Sequence, residues 1–300
     1  MKKKTYLFAL MTMALTLSSC SNNEDGIGGE TSKYITVSTS IGNMTRVATD
    51  AKGGQTFEEG DEISVYAWTG DATVAPETRE RVVNNAINKL TNGSWVSTPQ
   101  MLWKNNREKH YFIGVYPTAA ISDLSAGEYT FDVNKQTESD LLVAVNPDGL
   151  SYNVDEQQTV PLTFTHVMAK LAVNLTYKNQ WGGIPTVEKV VVGNAAKEAT
   201  INYLTKVVTP STTAKEDFSL PEITENTKYV SVIIPQEDVK QLTIVIGGKN
   251  FVYDNGTPFK LESGKITTVN LEVGRDEIKL GDVKITNWED GSTFSGEALN

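Results

Sequence analysis

The chain has 300 residues, 39% of them apolar and 21% charged, with a formal net charge of −10. That composition belongs to a folded chain rather than a disordered one, and the acidity excludes nucleic acid or an anionic membrane face as the partner, since both ask for a basic footprint. With one cysteine and two histidines, no disulfide forms within the chain and stability rests on apolar burial.

The first residues have the build of an export signal: a basic start at Lys2, Lys3 and Lys4, an apolar middle over residues 6–17, and small residues before Cys20. The apolar run is short of the roughly 20 residues that a spanning helix needs, so residues 1–19 read as a signal peptide and not as a permanent anchor. Leu17-Ser18-Ser19-Cys20 resembles the bacterial lipobox, in which the cysteine becomes the first mature residue and carries acyl groups. Lipidation is therefore expected at Cys20. Each buried CH₂ of an acyl chain contributes about 0.8 kcal/mol, and more than one chain makes anchoring stable. Cleavage before Cys20 removes three lysines and no acid, which takes the net charge to −13. Residues 20–32 are polar and glycine-containing and read as a flexible tether. Their Glu24-Asp25 pair resembles the acidic signal that sends some lipoproteins of Bacteroidia to the outer surface, and reads equally well as a soluble acidic linker.

From residue 33 the apolar runs are short, alternate with polar residues and stop at Gly, Asn, Asp or Pro, the pattern of strands joined by turns. Tyr34-Ile35-Thr36-Val37-Ser38-Thr39 is the first strand. Ile63-Ser64-Val65-Tyr66-Ala67-Trp68 follows the turn Glu58-Glu59-Gly60-Asp61. Asn92-Gly93, between Ile87-Asn88-Lys89-Leu90 and Trp95-Val96, is a short-range hairpin signal. Residues 111–116 form an apolar strand stopped by Pro117, and 141–145 another stopped by Asn146-Pro147, with a turn-rich segment over 146–158. Residues 160–175 are the longest ordered-looking stretch, and their β-branched content favours strand over a helix beginning at Thr165. Further strands are predicted at 187–192, 200–204, 229–234, 242–246, 251–253, 266–273 and 278–288. Strands at this spacing, without useful helical periodicity, give an all-β fold of sandwich type. The expected organisation is an N-terminal domain over 33–159 and a C-terminal domain over 160–300.

Residues that carry chemistry are sparse. The sole cysteine belongs to the lipobox, and neither His110 nor His166 lies in a catalytic motif. Metal-ligand spacing is absent, so no metal and no cofactor is expected. Glu58-Glu59, Asp276-Glu277 and Glu289-Asp290 fall in turns, where solvated charge is the ordinary reading of a carboxylate pair. The chain is accordingly read as a non-enzyme. Trp68, Trp95, Trp103, Trp181 and Trp288 are spread along it, and core filling is the ordinary role for most of them.

Taken in order, several pieces resemble the fimbrillin family, the lipoprotein-derived pilins and pilus-associated adhesins of Bacteroidia. They are the lipobox ending in Cys20; Thr45-Arg46-Val47-Ala48-Thr49; Phe57-x-x-Gly60-Asp61-x-Ile63-x-Val65-Tyr66; Tyr116-Pro117; Asp140-Leu141-Leu142; Phe164-x-His166-x-Met168-Ala169-Lys170-Leu171; and Ile285-x-x-Trp288. The resemblance implies two tandem transthyretin-like β-sandwich domains and a pilus subunit or pilus-associated adhesin, assembled by protease-triggered donor-strand exchange. An arginine-specific surface protease would remove the first strand, with Arg46 matching the scissile residue, and a neighbouring subunit would fill the groove. The implied partners are other pilus subunits of the same or a related kind, the lipoprotein processing machinery, and a host or glycan ligand. The implied location is the outer-membrane surface, as a lipoprotein, and then the pilus. If the end of the chain completes its own second domain, a tip or accessory position suits it better than a repeating stalk. The alternative is a monomeric surface lipoprotein that binds glycans through exposed aromatics.

Overall fold

Most of the short apolar runs of the sequence become strands. The computed structural model describes residues 33–42 and 56–288, apart from 137 and 157, and it is all-β. The first strands are β1 (Thr36–Ile41), β2 (Glu62–Thr69), β3 (Arg81–Thr91), β4 (Ser94–Thr98), β5 (Lys109–Tyr116), β6 (Gly127–Thr130), β7 (Leu142–Ser151) and β8 (Thr159–His166). Then come β9 (Ala169–Tyr177), β10 (Val187–Ala196), β11 (Glu198–Asn202), β12 (Val207–Pro210), β13 (Lys215–Ser219) and β14 (Glu222–Thr224). The last are β15 (Lys228–Ile233), β16 (Gln241–Ile246), β17 (Lys249–Asp254), β18 (Lys265–Val273) and β19 (Ile278–Asn287).

The largest sheet has seven strands in the order β1-β8-β7-β5-β2-β3-β4. The others run β14-β15-β9-β18-β19, β13-β10-β16-β17 and β12-β11-β6. β1 lies parallel to β8, and β9 parallel to β18. The predicted hairpin is β3–β4, and its turn residues Asn92 and Gly93 have φ of 50° and 72°. Positive φ at both central positions is what a two-residue turn of this twist requires.

Two sequence readings change. Residues 160–175 are not one strand: β8 ends at His166 and β9 begins at Ala169, in a different sheet. The break is fixed by other partners, since Val167 N–H donates to Leu141 O (3.0 Å), while Val167 O and Met168 O accept from Ser263 Oγ and Gly264 N (2.9 Å each). Position 160 thus lies inside β8, whose ladder partners are β1 and β7. The second change is at Asn146-Pro147, which does not stop its strand. Asn146 stays opposite Phe112, its Oδ1 accepts Gly149 N–H at 2.9 Å, and the chain rejoins β5 at Leu150 and Ser151. A bulge absorbs the proline, which has no N–H to give the ladder.

Two cores result. Ile35, Val37, Val65, Phe112, Leu162 and Phe164 are among the residues that meet on one face of the seven-stranded sheet. On its other face Tyr66, Trp68, Ile113, Val115 and Val143 join a larger core with residues of β9, β10, β15, β16 and β18. β6, from the first half of the chain, pairs with β11 of the second. Gln136 adds a further bridge: its Oε1 accepts Val232 N–H at 2.7 Å, and its Nε2 donates to Ser231 Oγ at 3.0 Å.

Candidate assembly site

β1 ends the seven-stranded sheet and is contacted from both sides. On one side all six of its residues pair with β8, from Thr36 opposite Thr159 to Ile41 opposite Phe164. On the other side it meets β4 and the segment after it: Ile35 N–H donates to Met101 O (3.0 Å), Trp103 N–H donates to Lys33 O (3.2 Å), and Trp95 Nε1–H donates to Thr39 Oγ1 (3.0 Å). The two edges of one sheet are therefore drawn together across a single strand. Ile35, just before β1, is 2% exposed and Val37 7%, so the strand is deeply buried at its start, while Thr39 and Ile41 are half-buried. Each large apolar side chain so buried is worth about 1.5–3 kcal/mol.

An aromatic cluster lines the far end of this groove. Phe57 stands edge-on to Trp95 (5.3 Å), Tyr116 (5.3 Å) and Phe164 (5.1 Å). The turn that places Phe57 is held by Asp61, whose Oδ2 accepts Glu58 N–H (2.7 Å), and by Gly60, at φ 97°. Tyr116 donates to Asp61 Oδ1 at 3.3 Å; burial first, and then the Asp61 charge, push its hydroxyl up to about 12. At the near end the buried His110 accepts Lys104 N–H on Nε2 (3.0 Å) and stands edge-on to Trp103 at 5.0 Å. Burial holds this imidazole below its ordinary 6.5.

The last described strand is built differently. β19 lies at the edge of its sheet, antiparallel to β18. Leu280, Val283 and Ile285 remain 39%, 37% and 38% exposed. The chain is pinned just beyond, where Trp288 is buried and its ring stacks on His166 (4.0 Å, 7° between planes). Lys170 Nζ sits over the same indole at 4.0 Å, and His166 Nδ1 is 2.8 Å from Asp140 Oδ1. Asp140, His166, Lys170 and Trp288 belong to three separate motifs of the sequence, and the fold brings them to one point between the seven-stranded and five-stranded sheets.

Cys20 and Arg46 lie outside the described residues; Arg46 falls between Gly42, just after β1, and residue 56. Among the tryptophans Trp68, Trp103 and Trp288 are buried, and Trp95 and Trp181 half-buried. No indole is therefore displayed as an open platform. Among the described residues no group of three or more His, Cys, Asp or Glu could hold a metal ion, and no helix is long and apolar enough to cross a membrane. Thr39 is the site residue that sequence reasoning missed; its only signal is a hydroxyl at an inward position of an otherwise apolar alternation.

Solved structures share this fold. A candidate cell adhesion protein of Bacteroides uniformis aligns with a TM-score of 0.59 at 21% identity, covering 78% of this chain and 93% of that one. One from Bacteroides ovatus gives 0.61 at 18% identity, over 85% and 98%. The tip fimbrial protein Mfa3 of Porphyromonas gingivalis, truncated at its C-terminus, gives 0.50 at 11% identity, over 77% and 95%. No curated protein matches the sequence. The model of the fimbrillin-like family matches residues 45–288, which take in the aromatic cluster, the Trp288 anchor and both cores apart from Ile35 and the β1 strand, and the chain therefore belongs to the fimbrillin-like family.

Proposed function

We propose that the protein is an exported pilus subunit or pilus-associated adhesin, non-enzymatic, whose first strand is cut away and replaced by a strand of a neighbouring subunit. The observation that carries this reading is the construction at β1. Among the described residues the strand lies at the end of its sheet, is paired to β8 and bonded to Trp95 of β4, and adds its inward side chains to the core of that sheet. Without it, the facing edges present unpaired backbone groups beside apolar surface, which favours strand addition. A similar strand replacing β1 gains little net energy, so a cut that removes the competitor makes the exchange one-way. Arg46 is the expected cut, made by an arginine-specific surface protease; it would also sever the chain from acylated Cys20.

In this reading the seven-stranded sheet is the acceptor unit, and its partners are other pilus subunits. The lipoprotein machinery acts at Cys20 and places the protein on the outer-membrane surface before it enters the pilus. Because β19 completes the chain's own sheet, a tip or accessory position suits it better than a repeating stalk. The names of structures that share the fold, cell adhesion and fimbrial proteins, agree with this assignment. Intact mass and N-terminal sequencing of protein taken from the native cell surface test it. A chain starting at Val47 in detergent-resistant high-mass ladders is the expected result; an acylated Cys20 start in a monomer overturns it.

A further inference from the structure

The strand in the β1 position meets a fixed donor, the indole N–H of Trp95, among mainly apolar side chains. Ile35, Val37 and Ile41 point toward the core, and a period of two puts Thr39 on the same face. Thr39 sits opposite Leu162 on the β8 side, while on the β4 side its Oγ1 accepts the indole N–H of Trp95 at 3.0 Å. The direction of that N–H is set without Thr39: Trp95 is paired to Leu90 in the β3–β4 hairpin, and Phe57 packs against its ring. The outward face repeats the message. Thr36 and Thr159 place their hydroxyls 3.2 Å apart and Ser40 donates to Thr163 at 3.2 Å, while Ser38, between them, faces Pro161, which offers no hydroxyl.

We propose that Trp95 sets the register of whatever strand fills this groove. It selects an extended segment, parallel to β8, with apolar side chains at three inward positions and a hydroxyl at the one facing the indole. This rests on the reading that a strand of a neighbouring pilus subunit takes the place of β1, and it states what that strand must carry. A slip of one residue turns every side chain to the wrong face. A slip of two keeps the faces but brings Val37 or Ile41 to the indole, leaving its N–H without an acceptor, and puts Thr36 or Ser40 opposite Pro161.

The test takes the full chain cut by an arginine-specific protease and three synthetic peptides of residues 33–42: native, Thr39→Ser and Thr39→Val. Native and serine peptides are expected to bind alike and the valine peptide about tenfold more weakly, the effect of one unmade hydrogen bond. In a Trp95→Phe chain the native and valine peptides should bind equally. Equal binding of native and valine peptides to the Trp95 chain overturns the register role and leaves strand replacement standing; no binding of the native peptide overturns both. The uncut chain gives an arm that needs no proteolysis: Thr39→Val should speed amide exchange in β1 about tenfold and Thr39→Ser should not. Equal exchange in the two variants counts against the proposal.

Discussion

The first and last described strands are both edge strands, and they are held by opposite means. β1 makes a six-residue ladder to β8 and buries Val37, with Ile35 just before it; β19 makes a longer ladder to β18 and leaves nearly every side chain exposed. Length of pairing and depth of burial are thus separated in one molecule. β1 is held by what it hides, β19 by its backbone and by Trp288 beyond its end. The edge of β19 is also blunted, with Lys279, Lys284 and an unpaired Gly281 at a shift of register, devices that discourage pairing with another chain.

The sharpest way to break this comparison is Trp288→Ala. Loss of a buried indole costs about 3–5 kcal/mol, and urea denaturation should show it together with lost amide protection along β19; an effect near zero would mean that the ladder alone holds the strand. Ile35→Ala should cost about 2–4 kcal/mol and loosen β1 while leaving β19 protected. Asp140→Ala takes away the partner of a buried imidazole nitrogen, for about 1–3 kcal/mol, and should weaken the Trp288 anchor without touching β1. His110 reports on the other end. Burial favours its neutral ring, so its contribution is constant above the ordinary 6.5. As pH falls through that value the unfolded chain takes up a proton that the folded ring resists, and stability drops. Denaturation curves from about pH 8 to about pH 5 should show the fall, and His110→Gln should flatten it. Smallest of all, Leu280→Thr should stay within about 0.5 kcal/mol of the parent, and a larger loss would put β19 in the same class as β1.

Strands that alternate around a core were legible from residues alone: β2, β5, β16 and β18 lie where the apolar pattern puts them. β6, β12, β13 and β14 were not, because Gly-Glu-Tyr-Thr or Lys-Glu-Asp-Phe-Ser buries only one residue and looks like loop until a neighbour supplies the ladder. The first strand could be read, but its partner could not. Parallel pairing with β8 joins residues more than a hundred positions apart, and no local pattern encodes it. The same holds for Asp140, His166, Lys170 and Trp288, which are separate motif letters in sequence and one stacked cluster in space. His166, which lies in no catalytic motif, stacks on Trp288.

β6 has a mechanical consequence. It is contributed by the first half of the chain to a sheet whose other strands belong to the second, Gln136 ties the halves at one more place, and Lys206 bonds to Thr165 of β8 in the seven-stranded sheet. Bending one half against the other must rupture ladder bonds rather than swing about a linker. Tension entering at the groove is therefore delivered to the far sheets undamped, as through a strut and not a chain of links.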